Sequence, residues 1–151
     1  MSFIPRNPDY ARRVQDSFAR QGAMRHIGAE IVHLAPGEVD LALAWRSELA
    51  QQHGYFHGGV VGMLADSAGG YAAFSLMPED ASVLTVEYKM NLLAPADGAR
   101  LVARGRVLKP GRTLVVSRVD VAVLREGQEH FCATLLQTLM TLAGRSDGPQ
   151  G

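Results

Sequence analysis

The sequence predicts an α+β fold in which a curved antiparallel sheet wraps one long apolar helix. Three observations predict it. From Gly58 to Met77, twenty residues carry a single charge, Asp66. On either side of that stretch hydrophobic and polar residues alternate at period two, in two strands before it and four after it. No linker or internal repeat divides the 151 residues, which is the size of one domain. A helix that is apolar on every side is not satisfied by one sheet face and water, so a strongly curved sheet, a partner subunit, or both must cover it.

The elements follow in order. Asn7 is placed to cap a short amphipathic helix with Pro8 in its first turn, and Tyr10, Val14 and Phe18 recur at helical spacing until Gly22 stops it. Arg12, Arg13 and Arg20 are expected to point outward, and residues 1–22 form an N-terminal helix and lead-in. Residues 23–143 are expected to form the single domain. Ile27, Ala29 and Ile31 begin a strand that turns at Ala35-Pro36-Gly37 into Val39, Leu41, Leu43 and Trp45. Arg46 to Phe56 reads as a loop, and the apolar helix runs from Gly58 to about Leu76, ended by Pro78. The next strand, Ser82 to Leu93, is expected to send Leu84, Val86, Tyr88, Met90 and Leu92 to one face and Thr85, Glu87, Lys89 and Asn91 to the other. Leu101–Leu108, Thr113–Leu124 and His130–Leu142 complete a meander across Lys109-Pro110-Gly111 and Glu126-Gly127, and residues 144–151 are expected to be a disordered tail.

Composition narrows the function. Hydrophobic residues at 47% and charged residues at 20% exclude disordered and collagen-like chains. Fifteen basic and fifteen acidic residues cancel, so no net field steers the chain to nucleic acid or an anionic membrane. A small molecule or another protein is the expected partner. Cys132 is the only cysteine, which precludes an intrachain disulfide and a Cys-based zinc site and fits the cytoplasm. Met1 to Tyr10 has no apolar run of signal-peptide length. The stretch after Gly58 has the length of a membrane span, but it is glycine-rich at its start and lacks basic flanks, which favours a buried helix.

Chemistry concentrates around that helix. His57-Gly58-Gly59 stands at its start, where backbone N–H groups lack intrahelical partners and glycine lets a ligand oxygen approach. Gly58 and Gly59 are candidate donors to a carbonyl oxygen, and the helix dipole favours charge developing there during acyl transfer. Asp66 lies among Val61, Leu64, Ala65, Ala68 and Ala72, where an unpaired carboxylate is costly. It is either paired with an Arg or a neighbouring strand, or it is a general base or nucleophile. Eight residues separate Gly58 from Asp66, about 12 Å along the axis. Both cannot reach one carbonyl from a single helix, so a site shared between two copies is implied if they act together.

Gln51, six residues before His57, then His57-Gly58-Gly59, Leu64-Ala65-Asp66-Ser67-Ala68 and Thr85 to Ala96 resemble the signature of hotdog-fold acyl-CoA thioesterases of the PaaI and 4-hydroxybenzoyl-CoA thioesterase type. The resemblance runs from about Gly22 to Leu142. It implies a sheet wrapped around the long helix and active sites at a subunit interface, in a homodimer or homotetramer. It implies that Gly58 donates its N–H to the thioester oxygen, that Asp66 of the partner attacks the thioester carbon or activates water, that Gln51 orients the reacting groups, and that Thr85 positions the water or the carboxylate. It gives His57 a bracing role in the loop. Some members carry a Thr one turn after the acid; here Gly70 stands there, so support for Asp66 must come from Thr85, Ser67 or water.

The expected reaction is hydrolysis of an acyl-CoA to the free acid and CoA, with Asp66, Gly58, Gln51 and Thr85 catalytic and His57, Gly59, Ser67, Tyr55 and Asn91 beside the substrate. No metal or redox cofactor is expected; His53 and His57 have a ligand-like spacing but lie in a loop without a third ligand. Arg104, Arg106, Lys109 and Arg112 are candidates to meet CoA phosphates or simply to be solvated, and Cys132 is expected to be inert. Two rivals use the same fold: a noncatalytic acyl-CoA-binding protein, and a hydratase or dehydratase relying on His57 with Asp66.

Overall fold

The computed structural model describes residues 3–148. Helix α1 (Tyr10–Arg20) buries Val14 and Ser17. The chain then straightens at Gln21 and re-enters a second short helix, α2 (Gly22–Ile27), that ends at Gly28 in the left-handed region (φ 78°). Ile27 therefore belongs to a helix and not to the first strand. Its spacing from Met24 places both on the buried side of α2, and that packing wins over the alternation with Ala29 and Ile31, which spans too few residues to fix a strand.

The sheet has six antiparallel strands in the order β1 (Glu30–Ala35), β2 (Glu38–Ala44), β4 (Arg100–Pro110), β5 (Leu114–Arg125), β6 (Gln128–Ala143) and β3 (Ala81–Leu92). It wraps α3 (Gly58–Phe74), ten of whose 17 residues are buried. This is the wrapped-helix architecture that the resemblance implied. The closest approach is at Gly105 of β4, where a Cβ would stand 2.6 Å from the Ala68 carbonyl carbon and 2.8 Å from the Gly69 nitrogen. Only glycine lets this strand lie directly on the helix backbone. No helix among the described residues is long and apolar enough to cross a membrane.

Two further expectations need correction. Arg13 points inward, not to solvent: its guanidinium donates to the carbonyls of Met77 (3.4 Å), Pro78 (2.7 Å) and Ala81 and lies 4.0 Å above the Phe74 ring. Carbonyls left over where a buried helix ends need donors, and a long side chain on α1 reaches them. Burial lowers the Arg13 pKa from its ordinary value, opposed by Asp147, Glu79 and Asp80.

The second correction concerns β3. Its pairing with β6 runs Thr85↔Leu139 and then Glu87↔Thr138, so Val86 is an extra residue in a bulge. The alternation reverses there. Thr85 comes to the helix side together with Tyr88, Met90 and Leu92, while Leu84 lies on the outer face opposite Met140. Of the final segment, Asp147 accepts hydrogen bonds from Arg20 (2.7 Å) and Ser82 (3.2 Å), and residues 149–151 of the expected tail lie outside the described residues.

Candidate active site

The loop before α3 is pinned before it reaches the helix. Phe56 is buried and bridges to Ala50, its N–H bonds to the Ala96 carbonyl (3.0 Å), and the His57 N–H bonds to the Leu49 carbonyl (2.9 Å). His57 then caps α3. Its Nδ1 accepts from the Gly59 N–H at 2.8 Å, and its carbonyl accepts from Val60 (2.9 Å) and Val61 (3.1 Å). An Nδ1 that accepts leaves the proton on Nε2 in the neutral ring. The sequence offered both glycines as donors; Gly59 is already taken by the cap. Among the described residues, the Gly58 N–H is the one in this first turn without an acceptor.

Asp66 lies two turns further along, half-buried on the floor of a cleft of about 690 Å³ whose walls include Ser67, Gly70 and Tyr71 of α3, Ser17 of α1, Thr85 of β3 and Leu139 of β6. Thr85 Oγ1 donates to Asp66 Oδ1 at 2.7 Å, and Gln137 Nε2 donates to the same oxygen at 3.0 Å. No hydrogen bond within the described residues reaches Oδ2. Two donors from different strands thus anchor one oxygen, while the second has no hydrogen-bond partner among the described residues. Among the described residues no cation pairs with Asp66; of the two structural alternatives, the ion pair with Arg does not describe this site, whereas bonding to neighbouring strands, β3 and β6, does. At the far end of the cleft Tyr71 and Ser17 share a hydrogen bond of 3.1 Å, and burial raises the phenol pKa above its ordinary value.

Thr85 reaches Asp66, as the sequence anticipated, and Ser67 lines the same cleft. Gln137 was not anticipated. A signal existed: it is the polar member of the buried row Ala133, Leu135, Gln137, Leu139 on β6. Gln51 turns its side-chain carbonyl back to the His53 N–H, which stabilises its own turn and leaves its NH₂ without a partner among the described residues. Tyr55 is half-buried beside His53, with 6.3 Å between ring centroids. Asn91 lies on the outer face of β3, where it accepts from Lys89 (2.8 Å), because it alternates with Tyr88, Met90 and Leu92, which face α3. It does not converge on Asp66 with the others.

Two basic candidates for a CoA tail are already engaged. Arg104 pairs with Glu129 (2.5 Å) and Asp40 (3.9 Å), and Arg106 pairs with Asp40 and with Glu38 (3.6 Å). Cys132 is buried, and burial pushes its thiol up to about 11, as an inert core cysteine requires.

Gly58 and Asp66 occupy opposite ends of the same strand contact. A Cβ on Gly58 would stand 3.0 Å from Leu92 Cδ1, whereas Asp66 is held by Thr85. Within one chain they do not meet.

Comparison with known proteins identifies the family and the fold. Residues 53–129 match the family model described as thioesterase superfamily. A crystal structure of a thioesterase family protein from Silicibacter pomeroyi is 52% identical and superposes with a TM-score of 0.88, over 89% of this chain and 99% of that one. A 1,4-dihydroxy-2-naphthoyl-CoA hydrolase of Listeria monocytogenes is 28% identical over 66% of this chain and 81% of its own length. The PaaI protein of E. coli, 18% identical, shares the fold with a TM-score of 0.80 over 90% of this chain and 95% of that one.

Proposed function

The chain belongs to the thioesterase superfamily, and from that premise we propose that it cleaves an acyl-CoA to the free acid and CoA at a site shared by two copies. The observation that carries this reading is the split of duties at Asp66: Oδ1 is held by Thr85 and Gln137, and Oδ2 is open. A cleft-lining carboxylate with one oxygen anchored and the other unbonded is suited to act on water or on a bound ester.

The second copy enters through β3. This strand is an edge of the sheet, and Leu84, Val86, Tyr88 and Leu92 on it are exposed within one chain. An unpaired apolar edge is a template for another strand. If two β3 strands pair antiparallel about a two-fold axis near Tyr88, the Leu92 end of one meets the Thr85 end of the other. That brings Gly58 of one copy to Asp66 of its partner.

In that arrangement the thioester oxygen accepts from the Gly58 N–H, and the α3 N-terminus stabilises the charge that develops on it. Asp66 Oδ2 takes a proton from water as the water oxygen bonds to the carbonyl carbon, or itself forms that bond as nucleophile. The C–S bond then breaks, CoA leaves as thiolate, and the proton from water ends on CoA. In the nucleophilic route water hydrolyses the acyl-aspartate in a second step. Water is the only co-reactant. The NH₂ of Gln51 remains available to orient the thioester, and Ser67 and Tyr55 border its path. His57 is spent at Nδ1 on the cap, which leaves the dehydratase reading without that nitrogen as base.

The test is thiol release from aryl, short and long acyl-CoAs, with Asp66→Asn as control. At least one ester should be hydrolysed, and the variant should lower kcat by about 10³. Tight acyl-CoA binding without thiol release would favour the noncatalytic alternative.

A further inference from the structure

Gln137 is buried (1% exposed) in a row that is otherwise apolar, and its amide is half used. Nε2 donates to Asp66 Oδ1 at 3.0 Å and to the Asp66 carbonyl at 3.4 Å, while Oε1 has no partner among the described residues. Ser117, its cross-strand neighbour on β5, is also buried with an unpartnered hydroxyl. Leaving two buried polar groups unpaired costs stability, and an apolar side chain of similar volume would remove the cost at Gln137. The fold makes room for this amide. A Cβ on Gly69 would collide with Gln137 Oε1, and it would stand 2.8 Å from both Gln137 Cδ and Ser117 Oγ.

We propose that Gln137 is a positioning residue for Asp66, with its bond to Oδ1 selecting which carboxylate oxygen reacts. Thr85 approaches Oδ1 from the edge strand β3, where solvent and a partner subunit have access; Gln137 approaches from the interior strand β6. Together they hold Oδ1 from two sides. Without Gln137 the carboxylate rotates about χ2, and the free oxygen is no longer held toward the cleft. Gly69 belongs to the same device, since any side chain there displaces the amide.

The inference rests on the hydrolase reading above, and its test separates the two. A parent protein that releases no thiol from any acyl-CoA overturns the hydrolase reading before a variant is made. Gln137→Met is then measured for kcat, KM and melting temperature, alone and combined with Asp66→Asn. Because removing the unpartnered Oε1 offsets the loss of the Nε2 bonds to Asp66, the melting temperature should hold or rise, which is read independently of turnover. The kcat should fall about tenfold or more with KM within twofold, the loss of one hydrogen bond to a charged group. In the Asp66→Asn background Gln137→Met should lower the residual rate no further. Gly69→Ala, which keeps the glutamine but displaces it, should reproduce the kcat loss. A lowered melting temperature with kcat retained, or the same fractional loss with and without Asp66, would overturn the proposal.

Discussion

Thr85 Oγ1 donates to Asp66 Oδ1 across 2.7 Å because β3 gains one residue, Val86, immediately after Thr85. In an unbulged strand Thr85 would share a face with Glu87 and Lys89, on the outer side of the sheet. The bulge turns it to the helix while Tyr88, Met90 and Leu92 still cover α3. A local irregularity in one strand thus sets the chemistry of a carboxylate on another element.

Thr85→Val keeps the branched shape and removes the donor. The kcat is expected to fall about tenfold with KM nearly unchanged, the effect of one lost hydrogen bond. Thr85 is exposed within the chain, so chemical denaturation should show a stability change of only about 0.5 kcal/mol.

Gly58→Pro tests the oxyanion donor without disturbing the helix. Gly58 is the first helical residue and its N–H has no acceptor among the described residues, so proline deletes the proposed ligand contact. His57 already has the extended backbone (φ −62°, ψ 137°) that a following proline requires. The flexible tip of Leu92 must give by a few tenths of an ångström. Steady-state assays should show kcat reduced about 10²- to 10³-fold in a folded protein.

His57→Ala removes the cap that occupies the Gly59 N–H. Denaturant unfolding should show a loss of about 1 kcal/mol, the usual cost of an N-cap. His57→Asn, which restores an acceptor, should recover most of that stability.

Arg13→Met retains the stem but removes the guanidinium from the carbonyls of Met77, Pro78 and Ala81 and from the face of Phe74. Several buried carbonyls lose a charged donor at once. Unfolding should show a loss of about 2–3 kcal/mol, with kcat little changed in the protein that remains folded.

Much of the site is legible in the sequence, for identifiable reasons. Glycine at a helix start and a lone carboxylate in an apolar run are both locally costly, and local cost is visible in one dimension. Their spacing on one helix also carries the inference that two copies share the site. Gln137 was harder to see. A single polar residue in an alternating strand reads as an ordinary exception until the helix packed against it shows what it touches. The bulge at Val86 left no trace in the alternation of β3, since Leu84, Val86 and Tyr88 fit a regular strand equally well. Arg13 was misplaced because a charged residue on a short amphipathic helix defaults to solvent, and only the end of α3 supplies the carbonyls that draw it in.

The central claim is that Gly58 and Asp66 act on one thioester from different copies of the chain. Gly58→Pro and Asp66→Asn are each expected to be nearly inactive alone. Mixed and allowed to exchange subunits, they should form dimers in which one of two sites has both native residues, restoring about a quarter of the parent activity when exchange is random. Recovery near that level is the predicted result. Mixed dimers verified by mass that stay as inactive as either variant would contradict the account.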